Sequence, residues 1–157
     1  MAERQSPIER RIPPVALCLL AAGAMWLLAR ITPAYRVAVP GRVALALVLA
    51  ALAVLVGISG VRAFARARTT VNPLQPGEAT SLVTQGIFSR TRNPMYLALA
   101  LALVAWACWL ASPLALLVVA AFVAYLTRYQ IRPEERALEA TFGEAFREYC
   151  ARVGRWW

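Results

Sequence analysis

Two groups of side chains in this sequence have types and spacing that could do chemistry. The first is Arg90, Arg92, Asn93 and Tyr96, grouped around Pro94 at the head of a long apolar run. The second is the adjacent carboxylate pair Glu134 and Glu135, a few residues past the end of that run. Arginines, an amide, a phenol and two carboxylates in one pocket would suit a zwitterionic ligand, with apolar helix walls beside it for a lipophilic partner. Each group also has a purely structural explanation. Asparagine followed by proline caps and starts a helix. Arginine and tyrosine anchor helix ends at a membrane surface. Acids in a first helical turn stabilise it by about 0.3–1 kcal/mol. Neither group decides between these readings by itself.

The elements between the groups must bring them together. Residues 93–127 carry no charge over 35 positions, whereas roughly 20 residues cross a bilayer core. Ser112-Pro113 divides the stretch, because proline ends a helix at the residue before it. The sequence therefore predicts a tight helical hairpin of residues 94–111 and 113–131. Its fold-back places the start of the first arm beside the end of the second, so the Arg-Asn-Pro-Tyr group faces the Glu-Glu pair. Two further apolar segments, 13–31 and 43–61, precede the hairpin. The expected fold is an all-α integral membrane protein with four transmembrane helices, a single domain over residues 1–157. A polar loop over 62–93 and a tail over 132–157 complete it. Arginine placement orients these spans. Arg4, Arg10, Arg11, Arg62, Arg66, Arg68, Arg90, Arg92, Arg128, Arg132, Arg136, Arg147, Arg152 and Arg155 fall on one side, against Arg30, Arg36 and Arg42 on the other. The positive-inside rule puts both termini, the loop and the tail in the cytoplasm, in a membrane of the bacterial inner-membrane type. The first segment lacks a small-residue cleavage site and is expected to be retained rather than removed as a signal peptide.

The tail differs in kind. Pro133 suits the first position of a helix, with Glu134 and Glu135 at its positive end. Leu138, Phe142, Phe146, Tyr149 and Val153 recur at helical spacing and predict an amphipathic C-terminal helix. Gly143 is a candidate break within it, and Trp156 and Trp157 look like interfacial anchors.

Composition narrows the chemistry. Of 157 residues, 61% are hydrophobic and 16% charged; the 17 basic residues are all arginine and the 8 acidic ones all glutamate. With no histidine and no aspartate, a His-ligated metal site, a Ser-His-Asp triad and paired-aspartate sites are excluded, and no metal is expected. Cys18, Cys108 and Cys150 are widely spaced and odd in number, which suggests neither a disulfide framework nor a zinc site, and Cys18 and Cys108 fall in apolar runs, where a thiol behaves as a small hydrophobe. A net charge of +9 is explained by anchoring arginines at span ends, so nucleic acid is not an expected partner.

Three boxes in order, Arg92-Asn93-Pro94-Met95-Tyr96, Glu134-Glu135-Arg136-Ala137-Leu138 and Phe142-Gly143-Glu144-Ala145-Phe146, resemble the isoprenylcysteine carboxyl methyltransferases and the related phospholipid N-methyltransferases. The resemblance covers residues 80–157. It departs at Asn93, where relatives often have histidine, and at Ala98, where many have glycine. Gly86-Ile87-Phe88 keeps one glycine of a Gly-x-Gly, Phe146 replaces a tyrosine that is found three residues on as Tyr149, and Gly154-Arg155-Trp156 stands where Pro-Arg-Trp is frequent. The resemblance implies S-adenosylmethionine as cofactor. It implies binding through Gly86, Arg92, Asn93, Tyr96, Glu134, Glu135 and Tyr149, with Arg92, Glu135 and Arg152 as the catalytic candidates. Arg152 and Arg155 would meet an anionic acceptor or the cofactor carboxylate, or else anchor the chain to the membrane.

Methyl transfer from a sulfonium is an in-line displacement that needs positioning more than acid-base groups, so the histidine-free inventory is adequate. A carboxylate or thiolate acceptor needs no strong base; an amine would give a proton to a glutamate. No Gly-x-Gly-x-x-Gly motif or strand-helix repeat is present, which excludes a Rossmann-type methyltransferase. The expected function is methylation of a small lipophilic acceptor drawn from the bilayer, with membrane lipids as surroundings. The rival expectations are a non-catalytic membrane scaffold or small transporter subunit, and a family member that binds cofactor without turnover. Uncharged spans count against transport.

Overall fold

The computed structural model describes residues 13–67 and 82–157. Arg4, Arg10, Arg11 and Arg68, with the rest of residues 68–81 of the polar loop, lie outside the described residues. Those described form helices and turns, without a strand. Helix α1 runs Pro14–Ile31, α2 Arg42–Ala67, α3 Pro94–Leu110 and α4 Ala115–Leu126. The C-terminal tail holds α5, Arg132–Phe142, and α6, Glu144–Arg152.

Among the described residues, three helical runs are long and apolar enough to cross a membrane: Pro14–Ile31, Arg42–Ala67 and Ala115–Phe142. Helix α3 is as apolar but has 17 residues. At 1.5 Å per residue it reaches about 26 Å, just under a hydrocarbon core of about 30 Å. Helix α2 continues six residues past the expected end of its span, to Ala67.

The hairpin turns where proline predicted. Helix α3 ends at Leu110, Ala111 adopts the left-handed conformation at φ 53°, and its N–H bonds to the carbonyls of Ala107 and Cys108. Ser112 is buried in the turn, and the chain re-enters a helix at Ala115.

The second arm corrects the expected boundary at Pro133. Helix α4 passes through a π-helical turn, Thr127–Ile131, directly into α5, making one run of 28 residues. Pro133 sits in the first turn of α5, but no new helix starts there. A proline inside a helix has no N–H to donate and crowds the carbonyl four residues back. A widened turn just before it relieves both problems.

Helix α2 packs most extensively on α3, through small residues. A Cβ built at Gly57 would lie 3.4 Å from the Ala98 Cβ, and one at Gly60 would lie 3.3 Å from both Pro94 Cγ and Met95 Cγ. Close backbone approach of this kind substitutes in membranes for a hydrophobic driving force. It also explains Ala98: with glycine already supplied by the facing helix, a methyl group fits. Gly60→Val should therefore wedge the two helices apart at Pro94, the residue that starts α3. The expected cost is about 1–3 kcal/mol of overpacking, read as a lowered melting temperature in detergent, with Gly60→Ala much milder.

The core lies between α1, α3 and α4, where Met25, Leu103, Phe122 and Leu126 are buried. Trp106 Nε1 donates to the Ala22 carbonyl at 3.1 Å and ties α1 to α3. A second cluster of Phe146, Tyr149 and Val153, with Leu138 and Phe142 against it, is the predicted apolar stripe. Gly143 does divide the stripe's helix, at φ 53° and ψ −120°, a conformation that essentially only glycine tolerates.

Candidate active site

The hairpin brings the two polar groups into contact. Arg92 Nη2 lies 3.2 Å from Glu135 Oε1, although 43 positions separate the residues. Arg155 grips the same carboxylate in a fork, Nε to Oε1 at 2.9 Å and Nη2 to Oε2 at 2.7 Å. One carboxylate thus serves two guanidiniums. Tyr96 Oη donates to Glu134 Oε1, which joins the first turn of α3 to the first turn of α5. The side chains of Arg92 and Glu135 are only 14% and 18% exposed. Charge-assisted pairs in that setting are stronger than surface ones.

Asn93 occupies the N-cap position of α3, but its side chain makes no cap hydrogen bond. Its Nδ2 instead donates to the Arg155 carbonyl at 2.9 Å. This corrects the capping explanation of Asn93: Pro94 starts the helix, and the amide ties α3 to the end of the chain. Thr91, fully buried, accepts from the Asn93 N–H at 3.2 Å.

Cys150 joins the ionic cluster through Arg92. Arg92 Nη1 donates to its Sγ. Burial raises the thiol's pKa above its ordinary value, while the Arg92 guanidinium pulls the other way. Sequence spacing gave no sign of this contact; only the return of α6 against the segment that precedes α3 creates it. Trp156 departs from expectation. Its Nε1 donates to Thr127 Oγ1 at 3.2 Å and its ring packs on the main core, so it is not a free interfacial anchor. Trp157 is exposed.

The remaining candidates stand apart from the ionic cluster. Gly86, at φ +64°, opens the short 3-10 turn Gly86–Ser89. Tyr149 is buried, and its hydroxyl donates to the Phe88 carbonyl in that turn at 2.7 Å. Burial pushes its phenol above the usual range. Phe88 in turn meets Phe64 of α2 edge-on, with ring centroids 5.1 Å apart. The Tyr149 hydroxyl thus braces the approach to the first box. Tyr149→Phe should cost about 1 kcal/mol of stability, read as a lowered melting temperature in detergent. Arg152 is exposed in the last turn of α6, outside the cluster. Arg155, three residues on, takes the place at Glu135.

The phospholipid methyltransferase family model matches residues 41–145. The chain belongs to the phospholipid methyltransferase family. The match begins at α2, well before the boxes, and takes in α3, the hairpin and α5; it stops short of Phe146. An uncharacterized protein of Haemophilus influenzae (strain ATCC 51907 / DSM 11121 / KW20 / Rd) is 45% identical over 62 residues, 40% of this chain and 98% of that protein. No solved structure matches the chain. Membership makes the protein an integral membrane protein of a methyltransferase family, in accord with its long apolar helices.

Proposed function

We propose that the protein transfers a methyl group from S-adenosylmethionine to a lipophilic acceptor at the cytoplasmic membrane face. The observation that carries this reading is the convergence of Arg92, Arg155 and Glu135 beside Tyr96 and Glu134. Two guanidiniums and two carboxylates match the mixed charge of a sulfonium amino acid. The buried Arg92 Nε has no acceptor among the described residues. An unmade hydrogen bond from a buried charged group is costly, and a ligand carboxylate would supply the acceptor.

When bound, S-adenosylmethionine supplies an electrophilic methyl group and a neutral thioether leaving group. Arg92 orients its carboxylate, with Asn93 and Tyr96 fixing the start of α3 around it. Glu134 and Glu135 face its cationic groups. The apolar flanks of α2, α3 and α4 admit the acceptor from the bilayer. The family name favours a phospholipid amine as acceptor, in which case a glutamate takes the amine's proton; a carboxylate or thiolate acceptor needs no such step. With four spans, α3 the shortest, and both termini cytoplasmic, the whole cluster would lie on the arginine-rich side. Arg152, exposed on that side, is left to meet anionic lipid or acceptor.

Calorimetric titration of the detergent-purified protein with S-adenosylmethionine tests the reading. Saturable heat is expected; its absence would overturn the cofactor assignment and favour a scaffold.

A further inference from the structure

The segment Gly154–Trp156 lies beyond the residues that the family model matches, yet it touches both walls of the ionic cluster. The Gly154 carbonyl accepts from the Arg92 N–H at 3.1 Å. The Arg155 carbonyl accepts from Asn93 Nδ2 at 2.9 Å and from Thr91 Oγ1 at 3.4 Å. Those bonds reach the α3 side. The Arg155 guanidinium reaches the other side, at Glu135, and the Trp156 indole reaches Thr127 in the π-helical turn. The segment itself belongs to no helix. It turns back so tightly that a Cβ at Gly154 would overlap the Trp157 carbonyl oxygen.

We propose that Gly154–Trp156 is a strap across the site and that Arg155 is a positioning residue on it. Closed, the strap joins the start of α3 to the start of α5 and holds Glu135 in line with Arg92. It must lift for the sulfonium cofactor to enter or leave. This inference rests on the cofactor reading above. Its physical basis is the division of contacts: the bonds that hold the strap are spread over Thr91, Arg92, Asn93, Thr127 and the forked pair to Glu135, and none belongs to a regular ladder. Such a segment opens locally at far lower cost than a helix unfolds. The chemistry beneath needs it shut, because water weakens ion pairs.

A strap has a kinetic signature that a mere contact lacks. Loosening it at a point remote from the ligand speeds entry and exit together and changes the equilibrium little. Thr127→Val is nearly isosteric, removes the acceptor for Trp156 and leaves the ionic cluster untouched. Stopped-flow binding of S-adenosylhomocysteine to the detergent-purified full chain should show association and dissociation rates both raised, by about fivefold for one lost hydrogen bond. The dissociation constant should stay within about twofold. Arg155→Lys keeps the charge but loses the fork; it should raise both rates further and also weaken affinity. Melting temperatures recorded alongside confirm folding of each variant, and either variant alone is sufficient for the test. Rates equal to wild type in the folded variants, or a rise in dissociation alone for Thr127→Val, would overturn the strap and leave the cofactor reading standing. Failure of wild-type protein to bind S-adenosylhomocysteine would overturn both.

Discussion

Glutamine at position 135 is expected to weaken S-adenosylmethionine binding at least about tenfold, since contacts to charged groups contribute roughly 1.5–3 kcal/mol. Glu135 is the one carboxylate that Arg92 and Arg155 share, at 3.2 Å and at 2.9 and 2.7 Å. Glu135→Gln keeps the shape and removes the charge. Two guanidiniums then stand near each other with no counterion between them. Removing one partner of a partly buried ion pair costs more than the pair contributes, because the remaining charge is left poorly solvated. Arg155 is about one-third exposed, which lets solvent screen part of that cost. The expected stability loss is therefore modest, about 1–2 kcal/mol, while the binding loss is larger. Calorimetry and thermal melts on the same preparation separate the two. Wild-type affinity in this variant would remove Glu135 from the site.

Arg92→Ala should be at least as damaging to binding. Arg92 reaches Glu135 with one nitrogen and the Cys150 sulfur with another. Truncation removes both contacts and the buried Nε that we assign to the ligand. Affinity is expected to fall about tenfold or more, and lysine at 92 should restore only part of it, since a point charge cannot reproduce the fork. A second readout needs no ligand. The guanidinium opposes the effect of burial on the Cys150 thiol. Without it the thiol's pKa should climb further, so less thiolate is present at any given pH. Alkylation of Cys150, followed by peptide mass spectrometry, should then slow at pH 8, with its pH profile displaced upward. An unchanged profile would mean that Arg92 does not act on Cys150 in solution.

Much of this site was legible from residue order. An uncharged stretch too long for one crossing, interrupted by Ser112-Pro113, requires a hairpin, and a hairpin requires its two ends to meet. That argument alone places Arg92 near Glu135. Periodicity likewise foretold the apolar stripe from Leu138 to Val153, because 3.6 residues per turn leaves the same trace in any amphipathic helix. The close approach of α2 to α3 at Gly57 and Gly60 follows a general rule: in a membrane, small residues are where helices approach.

Other features needed the folded chain. Asn93 looks like a cap in one dimension, since asparagine before proline usually is one; whether its amide turns inward or across depends on what lies opposite, and Arg155 does. Cys150 and Trp156 carry no local signal of their partners, Arg92 and Thr127, because those contacts span 58 and 29 positions. The choice of Arg155 over Arg152 at Glu135 is likewise a matter of where α6 ends and how the chain turns after it. Sequence by itself determined the apolar spans, the hairpin and the polar inventory, because composition and helical period act locally. Tertiary structure alone decided which polar groups are paired and which donor is left for a ligand, because hydrogen bonds between distant segments depend on positions to within an ångström.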